Sequence, residues 1–347
     1  MMFRQLFDSS SSTYTYLLAD EQQREALLID PVFGQASRDL ALLEDLGLSL
    51  TLVVDTHAHA DHITAAWLLQ QETGCRIASA RVIGAAHVDL PLEDGQVFGV
   101  AGVSLTAMAT PGHTDGCMSY VLADQSMVFT GDTLLIRGCG RSDFQQGSAR
   151  SLYASITGRL FSLPDDCLVY PAHDYNGRTV SSIGEEKAFN ARVGGGANET
   201  DFVEYMNAMK LPHPKKIDEA VPANLRSGCP EDGRLPPRPD WADIHLTYAG
   251  VPEIGAEWLE RHLDEVTVLD VRLGEEVRDS PLSGRLVDVH IPLDELQARV
   301  AEVPRDKPVV ALCRSGRRSA LAVNILKEQG FERVASLSQG LRQLTQP

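Results

Sequence analysis

The run T-H-A-H-A-D-H, Thr56–His62, puts three imidazoles and a carboxylate into seven residues. Donors at spacing two converge on one point when a rigid strand delivers them on a loop, where sites are usually built. The preceding residues fit that need. "LTLVVDTH" (50–57) is an apolar run of strand length that ends in polar side chains. Imidazole and carboxylate clustered this way form metal sites.

The same pattern recurs in "EALLIDP" (25–31), "VSLTAMATPGH" (103–113), "SMVFTGDTL" (126–134) and "CLVYPAHD" (167–174). Each reads as a strand running into a polar loop. They add His113, Asp132 and His173 to His57, His59, Asp61 and His62, seven potential donors in all. By spacing alone a two-metal centre is the natural reading. His87, His213, His245 and His262 stand alone and read as ordinary hydrogen-bonded or surface residues.

The 347 residues allow two or three domains. A composition of 43% hydrophobic and 23% charged residues is that of a soluble globular protein. A formal net charge of −17 argues against nucleic acid or an anionic membrane as partner. An anionic substrate would therefore need local arginine and lysine. The six cysteines form no C-x-x-C pair, which favours a reducing compartment over a disulfide framework. The N-terminus lacks the apolar core of a signal, and no run is apolar enough to span a bilayer. Together these predict a cytoplasmic protein. A homodimer is the general default for a soluble chain.

"CPEDGRLPPRPDW" (229–241) holds four prolines and a glycine and reads as a stiff linker. It divides residues 1–228 from 242–347. The latter part has strand signals in "VTVLDVR" (266–272) and "VVALC" (309–313). A helix signal follows in "SALAVNILKEQG" (319–330), with Gly330 at its end. Strand, loop and helix in that order predict a small α/β domain on a parallel sheet.

H-x-H-x-D-H followed by separate His, Asp and His resembles the metallo-β-lactamase superfamily. The resemblance implies an αββα sandwich with the site at one edge of its two sheets. "LLIRGCGRSDFQQGS" (134–148), "LVYPAHDYNGRTVSSIGEE" (168–186) and "KKIDEAVPANLRSG" (215–228) resemble the persulfide dioxygenases, or ethylmalonic encephalopathy proteins, across nearly all of residues 1–228. That family resemblance implies one Fe(II) per chain, on His57, His113 and Asp132. This is a two-histidine, one-carboxylate set that leaves coordination positions open for persulfide sulfur and O2. Iron can supply electrons to O2, which d10 zinc cannot. His59, Asp61, His62 and His173 would then orient the ligands or hold water. The implied substrate is glutathione persulfide, whose carboxylates call for cations and polar groups nearby. Arg141, Tyr175, Lys216 and Arg226 are the candidates.

"VVALCRSGRRSALAV" (309–323) ends a strand on Cys313 and starts a helix a few residues later. Backbone N–H groups of Arg314, Ser315, Gly316, Arg317 and Arg318, with the helix N-terminus, would stabilise a thiolate there. A tyrosine phosphatase needs arginine six residues after the cysteine, and that residue is Ser319. The loop instead resembles the rhodanese sulfurtransferases, as do "VTVLDVRLGEEV" (266–277) and "HIPLDEL" (290–296). One element departs: the family's G-H-I-P-G-A is replaced by "SGRLVD" (283–288). The resemblance covers roughly 242–347 and implies that Cys313 carries sulfane sulfur as a persulfide between thiosulfate and glutathione. The whole chain thus resembles a persulfide dioxygenase–rhodanese fusion. It would oxidise glutathione persulfide with O2 to sulfite and glutathione. The alternative is a glyoxalase II-type thioester hydrolase with two metals, and a rhodanese domain that only binds or senses persulfide.

Overall fold

The computed structural model describes residues 1–209, 212, 216–237, 239–282 and 286–344. His213, Lys215, Arg238 and the first three residues of "SGRLVD" lie outside the described residues. The chain divides into two compact units, Met1–Leu235 and Pro236–Pro347.

The first unit is built from two six-stranded sheets. In the first sheet β1 (Met2–Asp8), β2 (Thr13–Ala19), β3 (Glu25–Ile29), β4 (Ser49–Val54), β5 (Arg76–Ala80) and β6 (Leu90–Leu92) lie side by side in chain order. The second sheet runs in the same sequential way. It contains β7 (Val97–Val100), β8 (Val103–Ala109), β9 (Met118–Leu122), β10 (Met127–Gly131), β11 (Leu168–Pro171) and β12 (Ser181–Ser182).

Strand periodicity sorts the side chains into three layers. Along β2, Tyr14, Tyr16 and Leu18 turn inward and meet Leu105, Tyr120 and Phe129 of the other sheet. Leu17 and Ala19 turn outward with Leu28 and Val53 against α1 (Ala36–Asp45) and α2 (Ala66–Thr73). On the far side Val121, Val128 and Val169 pack against α3 (Ala149–Ala154) and its continuation to Leu160. They share that layer with α4 (Ile183–Phe189) and α5 (Glu199–Ala208). Strands covered on both faces read as near-continuous apolar runs, which is why "LLI" and "LVV" show no alternation. The architecture is the expected αββα sandwich. A further helix, α6 (Ile217–Asn224), closes the unit. Among the described residues no helix is long and apolar enough to cross a membrane.

Sheet pairing fixes where the loops fall. β3 and β4 run parallel in the first sheet. In the second, β8 and β10 both pair antiparallel with β9, and β10 runs parallel to β11. The loops after β3, β4, β8, β10 and β11 carry Asp30, His57–His62, His113, Asp132 and His173. A buried hydroxyl ties the sheets together beneath them: Tyr16 donates to the Pro171 carbonyl at 2.6 Å.

The second unit has one six-stranded sheet. In spatial order it contains β13 (His245–Leu246), β14 (Pro252–Ile254), β18 (Val334–Leu337), β17 (Val309–Leu312), β15 (Thr267–Asp270) and β16 (Val289–His290). All pairs are parallel except β13 with β14. The antiparallel edge departs from the parallel sheet that the sequence predicts. Its cause is local: Gly250, at φ 75°, closes a tight turn that folds the chain back. On β17, Val309 and Ala311 face one apolar layer, Val310 and Leu312 the other. Flanking helices are α7 (Ala256–Arg261), α8 (Gly274–Asp279), α9 (Leu293–Arg299), α10 (Arg317–Glu328) and the short α11 (Leu341–Leu344).

Replacing Tyr16 by Phe removes the hydroxyl and leaves the Pro171 carbonyl buried without a donor. The expected loss is about 1–3 kcal/mol, read as a lower midpoint of chemical unfolding. An unchanged midpoint would contradict the bridging role.

Candidate functional site

Three overlapping sets of potential metal donors meet at the sheet edge of the first unit. His57, His113 and Asp132 present ligand atoms that all lie within 4.8 Å of one another, and all three residues are buried. His59, Asp61, His62 and His173 form a second such set, and Asp30, Asp55 and His59 a third. The seven residues expected from sequence are therefore brought together. Asp30 joins them, although it was read only as the end of a strand.

Hydrogen-bond directions show which nitrogens are available. His113 Nδ1 lies 2.7 Å from the Arg141 carbonyl, which can only accept, so Nδ1 carries the proton. Its Nε2 then carries a free lone pair, 3.5 Å from Asp132 Oδ2. His57 follows through one more step. Thr56 Oγ1 lies 2.9 Å from Asp30 Oδ2 and 3.0 Å from His57 Nδ1. The hydroxyl spends its single proton on the carboxylate, so it accepts from His57 Nδ1–H. The Nε2 of His57 is left bare as well. Burial holds His57 well below the usual histidine range, and the neighbouring charge of His59 adds to the effect. Burial likewise lowers His113, against the pull of Asp132. For Asp132 burial would favour the protonated form, but His173, His113 and His57 overcome it and hold the carboxyl well below its usual range. Two neutral imidazoles with bare Nε2 atoms and one carboxylate are in the protonation states a metal ligand requires. These residues fit a divalent transition metal.

The second set is arranged differently. His173 Nδ1 faces Asp132 Oδ1 at 2.6 Å and its Nε2 faces Asp61 Oδ2 at 3.0 Å. Both ring nitrogens thus meet carboxylates. Burial opposes a charged ring, yet the two carboxylates raise the His173 pKa well above the usual value. His59 Nδ1 and His62 Nε2 are buried with no partner among the described residues.

Asp30 organises both sets. It sits 1% exposed just past β3 in the left-handed backbone region, at φ 51°. This uncommon conformation is worth about 1–3 kcal/mol of strain for a non-glycine residue. There its Oδ1 takes the Thr56 N–H at 2.7 Å and His59 Nε2 at 3.1 Å, while Oδ2 takes the Thr56 hydroxyl. Asn224 at the end of α6 supports the same loop, donating to the carbonyls of His59 and His62. Gly140 is required sterically: a Cβ there would lie 2.4 Å from the Asp132 carbonyl and 2.8 Å from His113 Nδ1.

The cation candidates are more scattered. Arg141 sits on the loop over His113, but its guanidinium is bidentate on Asp143 and donates to the Pro212 carbonyl. Tyr175 is 69% exposed and stacks parallel to His173, ring centroids 6.1 Å apart. Lys216 is exposed just before α6, and Arg226 turns to the Cys229 carbonyl and Glu231. The segment 215–228 reaches the donor loop through Asn224 rather than through either cation.

In the second unit Cys313 follows β17, and Gly316, at φ 86°, opens α10. Burial would raise the thiol's pKa. The Ser319 hydroxyl, 3.5 Å from Sγ, and the N–H groups of Ser319, Ser315 and Arg318 outweigh burial and lower it. Of the three loop arginines, Arg314 and Arg317 are exposed. Arg318 is clamped bidentately by Glu276 at 2.5 and 2.7 Å, which holds that carboxyl at about 2. Asp270, at the end of β15, forms a buried pair with Arg272.

Fold and site define a metallo-β-lactamase-fold protein joined to a rhodanese-like domain. The metallo-beta-lactamase superfamily model matches residues 10–173 and the rhodanese-like domain model residues 255–346. The chain is 51% identical to the human mitochondrial persulfide dioxygenase ETHE1 over 229 residues, 66% of this chain and 89% of that protein. The crystal structure of ETHE1 from Myxococcus xanthus superposes with a TM-score of 0.64 at 52% identity, covering 66% of this chain and 100% of that one. A metallo-beta-lactamase structure from Staphylococcus aureus covers 97% of this chain and 98% of its own at a TM-score of 0.61 and 20% identity, a likeness of fold. The chain belongs, through its first two thirds, to the persulfide dioxygenase family.

Asp30→Asn puts an amide donor against N–H or O–H donors whichever way it turns. Metal affinity should fall about 10–100-fold, as for partners that orient metal ligands. Competition with a chromophoric chelator measures this, and equal affinity would remove Asp30 from the account.

Proposed function

We propose that the first unit oxidises glutathione persulfide with O2 at a single Fe(II) on His57, His113 and Asp132. The second unit would move sulfane sulfur between thiosulfate and glutathione through Cys313. The observation that carries the first part is directional. Bare Nε2 atoms of His57 and His113 stand beside the Asp132 carboxylate, while both ring nitrogens of His173 are spent on carboxylates.

A bound Fe(II) would supply O2 activation and a binding position for the persulfide sulfur, with coordination positions left open by a two-histidine, one-carboxylate set. The residues do the rest. The Arg141 carbonyl and the Thr56–Asp30 relay hold the two imidazoles in the ligating tautomer. Asp61 and Asp132 grip His173, and Tyr175 lies stacked over its ring as an exposed polar surface for the glutathione moiety. The overall reaction balances as glutathione persulfide plus O2 and water giving glutathione, sulfite and two protons.

In the second unit the Cys313 thiolate attacks the sulfane sulfur of thiosulfate, breaking the S–S bond and releasing sulfite. Glutathione thiolate then takes the outer sulfur from the Cys313 persulfide and frees the cysteine. The exposed Arg314 and Arg317 are the available cations for an incoming dianion, since Arg318 is paired with Glu276. The product, glutathione persulfide, is the first unit's substrate, and concentrations set the direction. All six cysteines are free thiols, which supports work in a reducing cytoplasm.

A second reading has one observation in its favour. The unpartnered His59 Nδ1 and His62 Nε2 could serve a second ion, as in a glyoxalase II-type hydrolase. Two metals per chain and cleavage of S-lactoylglutathione without O2 uptake would establish it.

The two sites should separate by mutation. His113→Ala should lose bound iron and at least about 100-fold in O2 uptake while sparing thiosulfate:glutathione transfer. Cys313→Ser should do the reverse. Transfer that survives the serine variant would refute the role of Cys313.

A further inference from the structure

Ser319 occupies the position where a tyrosine phosphatase needs arginine, in the first turn of α10. A second hydroxyl reaches it from the neighbouring strand: Ser336 of β18, which lies opposite Ala311 of β17. Both serines are fully buried. Ser319 Oγ meets three groups: Cys313 Sγ at 3.5 Å, the Gly316 carbonyl at 3.0 Å and Ser336 Oγ at 2.8 Å.

A hydroxyl has one proton to give. If Ser319 gives it to Gly316 or to the sulfur, the 2.8 Å contact makes Ser336 the donor to Ser319. The reverse orientation would leave Ser336 only the Leu337 carbonyl, at 3.4 Å. The Gly316 carbonyl already accepts the Ala320 N–H at 3.0 Å, so it stays satisfied when the hydroxyl turns away. The Ser319 proton thus stands between a carbonyl that does not need it and a sulfur whose charge changes during transfer. The charged side chains around the loop are otherwise placed. Arg318 is held by Glu276 and Asp270 by Arg272. Arg314, Arg317 and Arg342 are exposed.

When glutathione thiolate attacks the outer sulfur of the Cys313 persulfide, Cys–S–SH, the S–S bond breaks and its electron pair stays on Sγ. Glutathione persulfide leaves with the proton, and Cys313 is again a thiolate. We propose that Ser319 receives this electron pair: its proton turns from the Gly316 carbonyl to Sγ as the sulfur departs, while Ser336 donates to Ser319 and holds the hydroxyl in place. Ser319 touches the reacting atom, and Ser336 is a positioning residue acting through it. This role rests on Cys313 being the sulfur carrier. The hydrogen bond forms with a charged Sγ and is lost in the persulfide, so it favours unloading over loading.

The test uses the full-length chain without O2, so that the first unit consumes no persulfide. The Cys313 thiolate is titrated as the ultraviolet absorbance difference between each protein and its Cys313→Ser counterpart. Ser319→Ala should raise the midpoint by about one pH unit, the size of one hydrogen bond to a charged group. Persulfide is then counted by mass spectrometry at a fixed thiosulfate-to-sulfite ratio, above both midpoints. The ratio of persulfide to free thiolate should rise about tenfold in Ser319→Ala, matching one unit of thiol basicity. Single-turnover unloading by glutathione should slow about threefold while loading does not slow, because exchange rates follow thiol basicity with a slope of about one half. Ser336→Ala should move the same quantities in the same direction by less, and it carries the test should Ser319→Ala not fold. An unchanged midpoint and persulfide ratio in both variants, or loading and unloading slowed alike, would overturn the assignment of Ser319 while leaving Cys313 as the carrier. A wild-type chain that forms no persulfide from thiosulfate would overturn the carrier reading, and the assignment with it.

Discussion

A single buried carboxylate governs the direction of hydrogen bonding at the sheet edge. Asp30 leaves β3 in a left-handed turn and accepts from Thr56 twice and from His59 once. Because Thr56 has only one hydroxyl proton, its commitment to Asp30 decides the tautomer of His57. An imidazole that presented Nε2–H to the metal position would be useless as a ligand, however well placed. The strain at Asp30 is offset by the sandwich around it, whose strands cannot shift without exposing apolar layers on both faces.

The same logic runs through the whole edge. Each donor nitrogen is defined by what its opposite ring nitrogen meets: a carbonyl for His113, a hydroxyl for His57, carboxylates for His173. The second unit sets the state of its cysteine by other means. Cys313 is surrounded by N–H groups and a serine hydroxyl at a helix start, and one of its three arginines is neutralised by Glu276. That pairing leaves the exposed positive charge of the loop on Arg314 and Arg317.

Much of this was legible in the sequence, for physical reasons. Apolar runs ending in His or Asp mark strands delivering ligands: β3, β8, β10 and β11 lie within the runs so read, and β4 begins one residue before its run. The cysteine loop was legible because strand, glycine and helix follow within a few residues. The roles of Asp30, Thr56 and Asn224 were not. Their partners lie elsewhere in the chain, as with Asp30 and Thr56 or Asn224 and His59, and nothing local marks which proton goes where. Arg141 illustrates the reverse case. Its motif drew notice to the side chain, yet its backbone carbonyl orients His113 while its guanidinium pairs with Asp143 two residues on. The antiparallel β13 was missed because two-residue strands carry no periodicity.

We propose that this edge holds one redox-active ion rather than a hydrolytic pair. Metal exchange separates the two. Apo protein is reconstituted with Fe(II) or with Zn2+ and supplied with glutathione persulfide under O2. The iron form should consume one O2 and release one sulfite per persulfide, and the zinc form should consume none. An iron form that takes up no O2, or a zinc form that alone is active and cleaves a glutathione thioester, would contradict it.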